Sequence, residues 1–141
     1  KAKQFEPDWL LTDNLECDSY YTLMSWMGDT LQGSITTIQA DTTEDLLATL
    51  ESFTHLGLPQ SNMSAVSHML TRAVDLVIFI AEDQSQVSYI ERIGELHLRD
   101  NRLVIRELFI TESREEGVRT FAATGTLPRF YENLPSSSTS F

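Results

Sequence analysis

Near residue 83 the hydrophobic pattern of this chain switches, and no other feature constrains the fold as much. Before the switch, apolar residues recur at helical spacing or form short solid runs. After it they alternate, in QVSYIERIGELHL (86–98) and RLVIRELFIT (102–111). Alternation marks strands with one solvated face, whereas a solid run marks a strand that is apolar on both. The first half reads as β-α-β-α-α-β. The second reads as a small antiparallel meander, with Asp100 and Asn101 at its turn. The expected divisions are an α/β segment over 1–83, the meander over 84–134 and a disordered tail over 135–141, where PSSSTSF carries little to bury.

Within the first half, WLLT (9–12) predicts a short buried strand after Pro7, with Asp13 at its end. DSYYTLMSWMG (18–28) predicts a helix buried on most faces and stopped by Gly28. SITTIQ (34–39) is β-branched at four of six positions and predicts a strand. Asp41 then caps a helix, with Glu44 three residues on, and Leu46, Leu47, Leu50 and Phe53 fall on one stripe. Gly57 and Pro59 break that helix. A further helix spans about 62–73, with Met63, Val66, Met69 and Leu70 facing inward. DLVIFIAE (75–82) follows as a strand expected in the middle of a covered sheet, and a last strand is expected over 118–122.

Charge and cysteine usage narrow the function classes. Acidic residues outnumber basic ones by 21 to 10 among 141 residues, a net charge of −11. Nucleic-acid and anionic-lipid surfaces need clustered Lys and Arg, so neither is expected as a partner. Cys17 is the single cysteine and cannot close an internal disulfide, which fits a reducing compartment. His55, His68, His97 and Cys17 lack metal-ligand spacing, so no metal site is expected. The chain does not begin with Met and is read as a fragment of a longer protein.

Three stretches, in order, resemble one family. EPDWLLTD (6–13) is similar to the Walker B region of CpaF-type ATPases, which power Tad pilus assembly within the type II/IV secretion superfamily. GSITTIQAD (33–41) resembles that family's Gly-Ser-apolar-Thr-Thr-apolar-His-Ala-Asn segment, and FAATGTLPRF (121–130) its Ala-Thr-Gly-x-x-Pro-Arg-Phe. LPQSNMSAVSHMLTRAVDLVIFI, between them, has the matching helix-into-strand pattern. The resemblance covers nearly the whole chain. It implies the C-terminal part of a RecA-like P-loop ATPase core followed by a small antiparallel β subdomain. It also implies a hexameric ring of such subunits on the cytoplasmic face of an inner-membrane secretion or pilus platform, with ATP and Mg²⁺ in the intact parent.

The departures bear on activity. Asp13 stands where the family has Glu, and Asn14, Leu15, Glu16 and Cys17 stand where it has an Arg. Gln39 replaces the His of the Thr-Thr-x-His segment, and no G-x-x-x-x-G-K-[ST] phosphate loop occurs, so this chain alone is expected to hold no cofactor and not to hydrolyse ATP. The resemblance implies Asp13 as the catalytic carboxylate, Gln39 and Thr37 as nucleotide-sensing residues, and Arg129 as a subunit contact. Other readings stand beside these: Asp13 as a cap of the following turn, Gln39 as a strand-end amide, Arg129 in a local salt bridge, and Asp75 paired at a helix-strand junction. At the level of function, the alternative is a non-hydrolysing paralogue that serves a secretion or conjugation machine as a scaffold.

Overall fold

The computed structural model describes residues 8–14, 20, 22–23, 33–113 and 118–132. They form a mixed α/β chain with one parallel strand pair, two principal helices and a four-stranded antiparallel sheet. They divide into two compact units. One comprises the residues up to Asp75 with Leu96–Val104, the other Leu76–Glu95 with the residues from Ile105 onward.

In the first unit, β1 (Trp9–Thr12) pairs in parallel with β2 (Gly33–Thr36), register Trp9 to Gly33 through Thr12 to Thr36. WLLT forms a strand as expected, but it is not buried. Trp9 is 61% and Leu11 72% exposed, and Ile35, opposite Leu11, is exposed too. Gly33 lets its neighbour close in: a Cβ there would lie 2.5 Å from the Trp9 ring, which lies across the glycine and would have to swing aside. β2 closes at Thr36, so the strand expected over 34–39 ends before Thr37.

Helix α1 (Thr43–Gly57) starts one residue later than expected. Thr42, not Asp41, is the N-cap. Its hydroxyl accepts from the Asp45 N–H at 3.1 Å and donates to Asp45 Oδ2 at 2.7 Å. Asp41 and Thr42 are both good caps, and the fit of the hydroxyl to the Asp45 N–H decides between them. Helix α2 (Met63–Ala73) is capped by Asn62, whose Oδ1 accepts from the Ala65 N–H at 2.8 Å. The helices pack through Leu46, Leu50 and Thr54 of α1 and Val66, Ser67 and Leu70 of α2, all buried. Leu47, Phe53 and Met69 are half-buried, whereas Met63, in the first turn of α2, is exposed. The buried hydroxyls are satisfied locally: Thr54 donates to the Leu50 carbonyl, and Ser67 reaches both the Met63 carbonyl and Glu51.

Most of the helix expected over 18–28 lies outside the described residues. Tyr20, Thr22 and Leu23 are helical; Tyr20 and Leu23 are buried, and the Tyr20 ring meets Phe53 edge-on at 5.5 Å. Burial pushes the Tyr20 hydroxyl pKa far upward, against a smaller opposing effect of Thr54. The tail expected over 135–141 also lies outside the described residues.

The antiparallel sheet runs in the order β3-β4-β5-β6, with β3 Val77–Glu82, β4 Ser88–Arg99, β5 Arg102–Ser113 and β6 Arg119–Ala123. Here β3 departs from expectation. Among the described residues it is not the middle of a covered sheet but an edge strand, paired antiparallel with β4. Ile78 and Ile80 are exposed, Ile80 at 71%. The apolar run reports that both faces of the strand are apolar, which is a weaker statement than both being covered. Asp100 and Asn101 form the β4–β5 turn, both at positive φ (51° and 61°), as a two-residue type I′ connection requires. A register shift between Phe79 and Ile80 leaves Glu91 unmatched on β4. The short helix α3 (Arg129–Glu132) follows β6.

Candidate functional site

The carboxyl ends of β1 and β2 carry the polar side chains that the sequence singles out. Parallel pairing keeps these ends side by side. The last matched pair, Thr12 and Thr36, joins its hydroxyls at 2.9 Å. One residue further, the Thr37 hydroxyl donates to Asp13 Oδ1. The same hydroxyl accepts from the Asn14 N–H at 2.8 Å. Asn14 makes that bond from the left-handed region, at φ 46°, which Asn tolerates better than most residues. The Thr37 oxygen receives one proton and directs its own at the carboxylate, so Asp13 is held in a fixed orientation. Asp13, Asn14 and Thr37 are all exposed, so the remaining carboxylate lone pairs face solvent.

The structure thus brings Asp13 and Thr37 together and adds Asn14, which stands in the stretch where the resembled family has its Arg. Gln39 is not one of their hydrogen-bond partners. It lies past the end of β2 and is exposed, because the strand stops at Thr36. Asp75 is also exposed and, among the described residues, makes no ion pair at the end of α2.

Arg129 belongs to the second unit and is held there. Glu95, on β4, is 1% exposed, and each of its carboxylate oxygens serves a different arginine. Oε1 accepts from Arg106 Nε at 2.7 Å and also from Arg106 Nη2. Oε2 accepts from the Arg129 N–H at 3.0 Å and lies 3.9 Å from Arg129 Nε. Arg106 Nη2 also donates to the Leu127 carbonyl at 3.2 Å. A buried carboxylate needs such partners, because desolvation without them costs several kcal/mol on the order of a lost charge pair. Nothing local in GELHL flags Glu95; its partners lie 11 and 34 residues away.

A second ion pair closes the β3–β4 connection. Asp83 accepts from the Ser85 and Val87 N–H groups at 2.8 and 3.0 Å, and from Arg119 Nη2 at 2.8 Å. The Arg119 guanidinium also lies over the Tyr89 ring, 4.0 Å from its centroid. The Val87 N–H, then Arg119, hold the Asp83 carboxyl below the usual carboxylate range.

Among the described residues no group of three or more His, Cys, Asp or Glu side chains is placed to hold a metal ion, and no helix is long and apolar enough to cross a membrane. Comparison with protein-family models finds no match, and comparison with curated proteins finds none either.

Proposed function

We propose that the chain is the C-terminal part of a secretion or pilus-assembly motor ATPase that works as a homo-oligomeric ring on the cytoplasmic face of a membrane machine. The observation that carries this reading is the joined pair Asp13–Thr37 at the carboxyl ends of adjacent parallel strands. Open α/β sheets bind their ligands in that place. The resemblance assigns Asp13 to water orientation and Thr37 to nucleotide sensing, and their proximity supports that assignment.

The residues present do not fit a nucleotide by themselves. They offer one carboxylate and one hydroxyl, but no glycine-rich loop, and the chain's lysines are Lys1 and Lys3. Motor chemistry needs a phosphate cradle and cations for the developing charge, which the parent must supply from upstream. In the parent, Asp13→Asn is expected to lower ATP turnover by roughly a hundredfold or more with little change in thermal midpoint. A parent that hydrolyses ATP equally well with either residue overturns the assignment of Asp13. A parent lacking G-x-x-x-x-G-K-[ST] upstream overturns the motor itself.

A second reading is favoured by one detail of the same site. Asp13 already receives the Thr37 hydroxyl, and Gln39 cannot take up a proton near neutral pH as His would. A non-hydrolysing scaffold subunit would keep this arrangement as a structural tie. In that case Asp13→Asn leaves ATP turnover at background and disturbs only assembly.

A further inference from the structure

We propose that residues 124–132 form a strap latched onto the antiparallel sheet by Glu95, able to leave it as a unit while the sheet stays folded. The strap's attachment is polar. At its start, the Thr124 N–H donates to the Leu108 carbonyl at 2.9 Å and the Thr124 hydroxyl to the Glu107 carbonyl at 2.8 Å. Gly125 follows at φ +88°, a backbone state other residues rarely adopt. Beyond it, Arg106 donates to the Leu127 carbonyl and the Arg129 N–H donates to Glu95. The large apolar side chains of the strap do not seal it to the sheet: Leu127, Phe130 and Tyr131 are all more than half exposed. Phe130 and Tyr131 pack on each other instead, with ring centroids 4.9 Å apart.

The division of labour on Glu95 makes the latch specific to a carboxylate. Oε1 serves Arg106 and Oε2 serves Arg129, and every one of those partners is a donor. Glutamine has one acceptor oxygen and one NH₂. In Glu95→Gln the oxygen turns to the Arg106 guanidinium, which demands an acceptor, and the NH₂ is left facing the Arg129 N–H. The strap loses its contact with residue 95 and gains a donor-donor clash there, while the Arg106 bond survives. On the ring reading above, on which this last consequence rests, the latch decides whether Arg129 is kept within its own chain or offered to a neighbouring copy.

Amide hydrogen exchange on the whole chain tests the latch without reference to any activity. In Glu95→Gln, exchange at the Thr124 and Arg129 amides, which donate to Leu108 and Glu95 on the sheet, is expected to rise roughly tenfold or more, the scale set by a lost hydrogen bond to a charged group. Amides of β5 and β6 are expected to keep their rates. Arg129→Pro provides a second route: it deletes the N–H at the first position of α3, where proline is tolerated, and leaves Glu95 paired with Arg106. It should free the Thr124 amide, which donates to the Leu108 carbonyl, in the same way. Unchanged strap exchange in a folded Arg129→Pro variant overturns the proposal. So does a rise shared equally by strap and sheet in both variants, since the segment would then be part of the sheet's cooperative fold. Loss of the whole sheet in Glu95→Gln together with selective release in Arg129→Pro supports it. A released strap with no gain in self-association leaves the latch standing and counts against the ring.

Discussion

Gly94, on β4, lies tight against β5. A Cβ at that position would lie 2.5 Å from Ile105 Cγ2 and 3.0 Å from the Arg106 carbonyl oxygen. Ile105 Cγ2 is fixed to the Cβ of a β-branched residue and the backbone oxygen belongs to a paired strand, so neither yields cheaply. Gly94→Ala is therefore expected to destabilise the chain by about 1–3 kcal/mol, measured as a lowered denaturation midpoint at unchanged slope. An equal or raised midpoint would show that β5 moves aside freely. At this scale the sequence is partly transparent. Asp13 and Thr37 are legible because strand ends in an α/β pattern collect polar side chains, and parallel pairing brings such ends together. Glu95 is not legible, because its burial depends on donors delivered by β5 and by the segment after β6. Gln39 is misplaced by reading a β-branched run as strand to its end, when the Thr37 side chain instead turns to Asp13.

The elements were legible from spacing, and their edges and surroundings less so. The two helices follow from apolar stripes bounded by Gly57 and by Asn62, and the hairpin turn from Asp100-Asn101. The cap of α1 slips by one residue because Asp41 and Thr42 compete for one role. Thr42→Ala is expected to cost about 1 kcal/mol, while Asp41→Ala should cost much less; equal losses would return the cap to Asp41. The strand β3 is misread for a different reason: a solid apolar run cannot distinguish a covered strand from an edge with two apolar faces. Its connection to β4 has a pH dependence of definite sign. Asp83 has a lowered pKa in the fold, so its contribution is fully present above the ordinary carboxylate pKa and is lost as pH falls through the lowered value. The difference in thermal midpoint between the natural chain and Asp83→Asn should be constant near neutrality and shrink toward zero in acid. A difference that grows on acidification would reverse the sign and exclude the Arg119 and Val87 contacts as its source.

At the scale of the whole molecule, the first unit leaves apolar surface uncovered. Trp9, Leu11 and Ile35 share one face of a two-stranded sheet and are all exposed. Faces of this kind invite association. Size-exclusion chromatography with light scattering is expected to show concentration-dependent self-association, weakened by Leu11→Ser; a clean monomer at every concentration would mean that the face is covered. The connectivity of the two sheets also sets a schedule. The β4–β5 hairpin closes through a two-residue turn, and such hairpins form in about 1–10 μs. Asp13 and Thr37 are 24 residues apart, and parallel strands cannot be joined by a tight turn, so their pairing waits on a longer loop closure. A refolding chain therefore displays its hairpin before it possesses its candidate site. In a refolding chain, the chemistry-bearing strand ends are a late product of folding.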